Sequence, residues 1–443
     1  MPNPVRVIAL VCLLATPVFA QELPAEHEHQ HADGQPAAGA QQADGSPGDQ
    51  HSAHQHSVTT TNRGWTLSGD ANVFFGFNYQ ERRYFDFAAW ESQNWLMGMA
   101  ARPVGQGHLM LHGMLSMEPL TIGRYVYRVD DGSRVVAGGS PQLFQTGESY
   151  KGLPLAEFQH PHDMFMGIGA TYERQHGRLT YLAGADLVGS PTLGPTVFMH
   201  RDSARNNPQV PLSHHLLDST HSTRGVVRGG VRISGWTVEG SAFRGEEPDE
   251  DRYDIDAPRL DSWAARIGWN KGGWRAQASG GHLHEPEWFA PYDQTRFTGS
   301  LEYAGTIWAR PFTMTAAYGQ VLEYSAFRPL ARGGLFEWDV NVTPKLATYG
   351  RAELVKKEVI GLHVHTPDMP PHPSYLSDVG ALTFGLVRDL RMLGLDRLGR
   401  FGIGGDMTVY DMSVDLEPIY GGSTSFHVFI RWRPAVTATQ HVH

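Results

Sequence analysis

The chain has 443 residues, a formal net charge of -10, 50 glycines and one cysteine, Cys12. The acidic balance and the lack of a basic module argue against nucleic acid as a partner. A lone cysteine excludes a disulfide scaffold and a thiolate metal site, and no long uninterrupted apolar run follows the N-terminus to suggest a membrane-spanning helix.

Met1 to Ala20 carries Arg6, an apolar run from Val7 to Ala15 and a small-residue end at Val18-Phe19-Ala20, so it reads as a secretory signal peptide. Gln21 to Gly64 contains neither an aromatic residue nor a periodicity, and a disordered periplasmic tail is expected there. Two His clusters mark it: His27, His29 and His31, then His51, His54 and His56. Short His-rich tracts are a compositional sign of metal binding, and weak, exchangeable binding is expected of them.

From Trp65 to Pro434 the sequence alternates with period two. In Ser262–Asn270 the apolar set is Trp263, Ala265, Ile267 and Trp269; in Leu335–Val342 it is Phe336, Trp338, Val340 and Val342. Thr223–Ile233 and Phe426–Arg433 repeat the pattern. About sixteen such strands are expected, a number typical of porin-sized barrels.

The connections alternate as well. Brief ones, such as Arg174–Gly177, Ser234-Gly235, Asn270–Gly273 and Arg310-Pro311, separate long ones: Glu81–Glu91, Glu118–His162, Gly189–His221, Glu246–Leu260, His282–Thr295, Glu323–Gly333, Val355–Ser377 and Ser413–Gly422. This sorting predicts an all-β, antiparallel, up-and-down transmembrane barrel in a bacterial outer membrane. Its turns and both termini would be periplasmic and its long loops extracellular. Trp65, Trp236, Trp269, Trp274, Trp308 and Trp432 lie near strand ends, as interfacial girdles do. Ala435–His443 is left as a C-terminal tail. Outer-membrane lipids and the barrel-assembly machinery are the implied partners.

The long connections hold the histidines. His160, His162 and Asp163 close one; His200, His214, His215, Asp218 and His221 lie in the next; His282 with His284, and His363 with His365, form two further pairs. Imidazole and carboxylate together suit a transition metal, copper or zinc being the expected ions. The alternative use of such residues is a hydrogen-bonded network packing infolded loops against the barrel wall.

Three segments carry a resemblance: Gln159-His160-Pro161-His162-Asp163; His200-Arg201 through Asn207-Pro208 and His214-His215 to Asp218-Ser219-Thr220-His221; and Glu247-Pro248-Asp249-Glu250 with Arg252. They resemble recurring signatures of a group of Gram-negative outer-membrane proteins that has no assigned activity. That likeness implies the location and no catalytic residue. In organisation alone, a His-rich tail before a barrel is similar to copper-resistance B-type outer-membrane proteins, although Gln21–Gly64 lacks the Met of those tails.

On the inward phase, Arg224, Arg228, Arg232, Arg266 and Arg431 oppose Glu337, Asp339 and Asp406, as charged walls lining a channel would. The expected function is therefore binding or passage of a small ligand, with metal handling as one form. A porin for small polar or anionic solutes is the other, and the Glu118–His162 connection is long enough to constrict it. A surface hydrolase using Ser219 and His221, or Ser203 and His200, is the enzymatic alternative; it lacks a nucleophile-elbow pattern.

Overall fold

The computed structural model describes residues 58–62, 64–83, 86–128, 134–150, 153–287, 292–323, 331–358, 376–390, 398–414 and 416–434. The tail histidines, His363, His365, the signal peptide and the C-terminal tail lie outside them. Sixteen strands form the wall: β1 (Trp65–Gln80), β2 (Asn94–Val104), β3 (Gly107–Leu115), β4 (Phe165–His176), β5 (Leu179–Gly189), β6 (Thr223–Ile233), β7 (Trp236–Phe243), β8 (Ser262–Lys271), β9 (Trp274–Leu283), β10 (Gln294–Ile307), β11 (Arg310–Glu323), β12 (Ala331–Thr343), β13 (Leu346–Glu358), β14 (Leu376–Leu390), β15 (Arg400–Met412) and β16 (Thr424–Arg433). Each pairs antiparallel with its neighbour. The sheet closes on β1, whose first half pairs with β2 (Val73 opposite Asn94) and whose second half pairs with β16 (Phe77 opposite Val428). Closure satisfies the wall's ladder without leaving an edge.

The wall is up-and-down, and its connections sort as the sequence predicts. At one end, the turn end, two-residue links join most strands. Ser234-Gly235 and Gly272-Gly273 have positive φ at both positions, the geometry that matches strand twist in a tight hairpin. At the other end, the loop end, the connections are long. Three details differ from expectation. Val58–Asn62, expected within the disordered tail, is a strand paired antiparallel with the start of β1, Asn62 opposite Trp65. Phe87–Glu91 is a short strand paired with the end of β1, so the later part of the first connection is sheet. The connection between β3 and β4 is itself folded into two hairpins, pairing Arg124–Arg128 with Arg134–Gly138 and Ser140–Tyr150 with Leu153–Gln159.

The two faces of the wall have opposite chemistry. Outward residues are exposed and apolar: Phe75, Val238, Ile267, Leu301, Phe384, Met407, Val428 and Ile430 among them. Inward residues are buried and polar, such as Asn78, Glu239, Arg266, Thr298, Glu337, Arg351, Thr383 and His427. In water this arrangement would be inside out; in a bilayer it is the expected one. All six end-of-strand tryptophans named above lie at the turn end, where Trp236 sits beside Trp269 and Trp274 against Tyr303. A second aromatic group, Trp90 with Phe75 and Phe77, and Tyr79 with Phe426, stands toward the loop end. Among the described residues no helix is long and apolar enough to cross a membrane.

Ile267 is central on β8 and points outward. Ile267→Arg should cost about 2–4 kcal/mol of stability in lipid vesicles, the penalty for a cation at bilayer mid-depth. Urea titration of vesicle-folded protein measures this; an unchanged midpoint would place that face in water.

Candidate functional site

The lumen is occupied. The connection between β5 and β6, residues 190–222, enters from the loop end, descends to the turn end at Arg205-Asn206 and climbs back through a helical turn, His214–Leu217. Nearly all of it is buried, including Leu193, Val197, Phe198, Ala204, Val210, Leu212, Leu216 and Leu217. The sequence pointed to the β3–β4 connection as the constriction; the structure gives that role to 190–222. The β3–β4 hairpins assist at the loop end, where Leu143, Phe144, Tyr150 and Phe158 pack with Leu212 and Tyr420. Gly319 on β11 makes room for the helical turn, since a Cβ there would stand 2.3 Å from the Leu216 carbonyl oxygen.

This internal segment is held mainly by polar contacts. Arg201, fully buried, donates from Nε to Glu337 on β12 at 2.5 Å and from Nη1 to Asp218 at 2.7 Å. The second oxygen of Glu337 accepts from Arg351 on β13 at 3.0 Å, and Arg351 also donates to the Gln209 carbonyl. Ser203 Oγ lies between Thr315 and Glu337 at 2.6 and 3.0 Å. Lower down, Asp339 accepts from Arg205 and Asn206, while Arg433 and Asn72 both donate to the Arg205 carbonyl. Glu353 accepts from the Ser213 amide and hydroxyl at 3.1 and 2.9 Å. Each such bond meets the requirement that buried polar groups be paired.

The expected channel-lining residues do point inward, but they line no open path. Arg224 pairs with Asp163, Arg228 with Asp186, Arg232 with Glu173 at 3.1 Å, and Arg266 with Glu239 at 3.3 Å. Asp406 accepts from His427 at 2.7 Å, and Arg431 pairs with Asp389. The Arg ladder on β6 is therefore neutralised by its own surroundings instead of facing an acidic wall across water.

Five of the predicted metal-ligating histidines meet above Phe198. His162 and His221 rings stand 5.2 Å apart, His214 and His221 5.3 Å, His214 and His215 5.4 Å, and His160 and His215 6.2 Å. Four have one nitrogen committed: His160 Nδ1 to the Pro161 carbonyl at 3.2 Å, His162 Nδ1 to Glu118 at 2.8 Å, His214 Nδ1 to Asp218 at 2.6 Å, and His221 Nδ1 to the Asp218 carbonyl at 2.9 Å. His200 lies apart, edge-on to Trp95 and 3.4 Å from Met114 Sδ. His282 and His284 face Asp293 at the loop end. Asp163 and Asp218, expected as ligands, are turned to arginines: Asp163 bridges Arg224 and Arg252. Among the described residues no group of three or more His, Cys, Asp and Glu is arranged to hold a metal ion. The hydrogen bonds at these rings run to Pro161, Glu118 and Asp218 and tie each infolded loop to itself. Nor do the candidate serines join a histidine: Ser219 Oγ accepts from Arg296 at 2.6 Å, and Ser203 is held as above. Sequence reasoning missed Glu118, Arg351, Glu353 and Arg205; strict alternation through Leu346–Glu358 already put Arg351 and Glu353 on one face.

Burial pushes the His160, His214, His215 and His221 imidazoles below their ordinary range, and crowding by other rings adds to it; at His214 the Asp218 carboxylate opposes this without reversing it. Burial alone would raise the Asp218 carboxyl, but Arg201 and His214 outweigh it and hold it low.

Comparison with known proteins finds no matching family model and no matching curated protein. Among solved structures, the chain is similar to an anion-selective porin from Comamonas acidovorans, with 11% identity, 83% of this chain and 99% of that one covered, and a TM-score of 0.46. It is similar to Salmonella typhi OmpF in complex with daunomycin, with 8% identity, 85% and 100% covered, and a TM-score of 0.49. Pseudomonas aeruginosa OccD3 (OpdP) gives 8% identity, 86% and 93% covered, and a TM-score of 0.37. The fold assignment rests on the strand pairing itself.

Two outcomes follow. Glu337→Gln leaves the buried Arg201 and Arg351 without their shared charge, and should cost the seated segment about 3–5 kcal/mol. Limited proteolysis should then cut within 190–222 while the barrel stays heat-resistant on gels; an uncut segment would contradict the anchor. Because burial holds His160, His214, His215 and His221 below their ordinary range, the seated state binds fewer protons than a released one. Its stability is full above about pH 6.5, the ordinary His value, and falls as pH drops below it. Hydrogen exchange over 190–222, corrected for intrinsic rate, should be faster at pH 5 than at pH 7.5. Equal or slower exchange at pH 5 would refute this.

Proposed function

We propose that this chain is an outer-membrane channel for small polar or anionic solutes, kept closed at rest by residues 190–222. The observation that carries this reading is the nature of the closure. A charged, inward-facing wall holds a single connection chiefly through hydrogen bonds and ion pairs, which water can replace when the segment moves. A lumen meant to be permanently solid would be expected to carry a continuous apolar core. Here the buried apolar residues fall into separate clusters: one of twelve residues caps the loop end around Phe144, Leu212 and Tyr420, and the others hold three to five residues each. Barrels of this strand number are wide enough for an aqueous path once loops withdraw.

The same reading puts the short turns and both termini in the periplasm and the long connections outside, in keeping with the sorted connections. Outer-membrane lipids would meet the apolar belt. Planar-bilayer recording tests the proposal. The wild-type protein should be mostly closed with brief openings, and Glu337→Gln should raise the open fraction at least several-fold. Absence of any conductance step from either protein in any salt would end the channel reading.

A further inference from the structure

The turn end of the lumen is not filled. A cavity of about 420 Å³ lies beneath Arg205-Asn206, bounded by the turns after β10 and β12 and by the ends of β14, β15 and β16. Its wall carries six cations, Arg205, Arg310, Lys345, Arg400, Arg431 and Arg433, against one carboxylate, Asp389, among the described residues. Two of these charges are matched: Arg205 by Asp339 at 3.0 Å and Arg431 by Asp389. Arg433, though buried, makes its hydrogen bonds to neutral oxygens, those of Asn72 at 3.1 Å, Asn206 at 3.3 Å and the Arg205 carbonyl, while the Asp339, Asp70 and Asp202 carboxylates act on it through space. Arg431 is buried too, and its Nε has no hydrogen-bond partner. Arg310, Lys345 and Arg400 are exposed at the rim.

Gathering like charges in a concave, partly dry space is unfavourable unless something of opposite charge enters it. The surplus sits where a solute leaving the lumen must pass. Guanidinium forks fit the oxygen pairs of a carboxylate or phosphate, and several forks around one space favour an anion with several oxygens and more than one charge.

We propose that this vestibule binds a small multivalent oxyanion, inorganic phosphate being its simplest representative. The inference deepens the solute-channel reading and rests on it for its biological sense, since it names the charge class that the channel would pass. The arrangement also gives the path a direction of selection: cations are repelled at the turn end, whatever the loops admit.

The test is calorimetric titration of the full-length, detergent-folded protein with inorganic phosphate at low ionic strength. Phosphate should bind saturably, with affinity falling as salt is added. The rim double variant Lys345→Gln/Arg400→Gln, whose side chains are exposed, should fold normally and bind at least about tenfold more weakly, the loss expected for charge-assisted hydrogen bonds. Arg433→Gln should lose binding altogether. If it does not fold, the rim variant decides alone. No saturable binding by the wild type, unchanged affinity in the rim variant, or equal competition by chloride would overturn the site. Failure here with bilayer conductance intact removes the site and leaves the channel; binding without conductance does the opposite.

Discussion

One carboxylate organises the interior. Glu337 sits fully inside the barrel on β12 and receives Arg201 from the internal segment, Arg351 from the next strand and the Ser203 hydroxyl. A buried charge of this kind is tolerable only when its oxygens are filled, and here they are filled from both wall and segment. The segment is thereby located in depth and in rotation by one point on the wall. The Asp218 carboxylate extends the arrangement, accepting from Arg201, His214 and the Phe198 amide, so the descending and returning arms are tied to each other and to Glu337 at once.

The rest of the interior depends on that anchor. With Arg201 fixed, Arg205 and Asn206 reach the turn end and roof the basic vestibule, while His214, His215 and His221 return beneath His160 and His162. Of the six vestibule cations only Arg205 comes from residues 190–222; the other five stand on the wall and its turns.

The wall was readable in the sequence because its physics is local. A strand with lipid on one side and polar groups on the other must alternate, so Ser262–Asn270 and Leu335–Val342 declared their faces residue by residue, and tight turns declared themselves by Ser-Gly and Gly-Gly. The interior was readable only in part. The three motifs at 159–163, 200–221 and 247–252 do meet, through His162 beside His221 and Asp163 bridging Arg224 and Arg252. Which connection folds inward was not legible, because the choice is made by partners far apart in the chain: Arg201 and Glu337 are 136 positions apart. The same distance hid the fate of the Arg ladder. Alternation gives the face of Arg224, Arg228 and Arg232, but not the carboxylates on β5, β4 and the preceding loop that neutralise them.

On the channel reading, passage requires residues 190–222 to leave the wall. Ser203 Oγ and Thr315 Oγ1 are 2.6 Å apart, so Ser203→Cys with Thr315→Cys places two sulfurs within reach of a disulfide between segment and wall; the only other cysteine in the sequence is Cys12. Single-channel recording of this variant, oxidised and then reduced in the same bilayer, tests the claim most directly. Silence is expected with the tether formed, and openings once it is reduced. Openings that persist with the tether intact, or silence in both states, would contradict it.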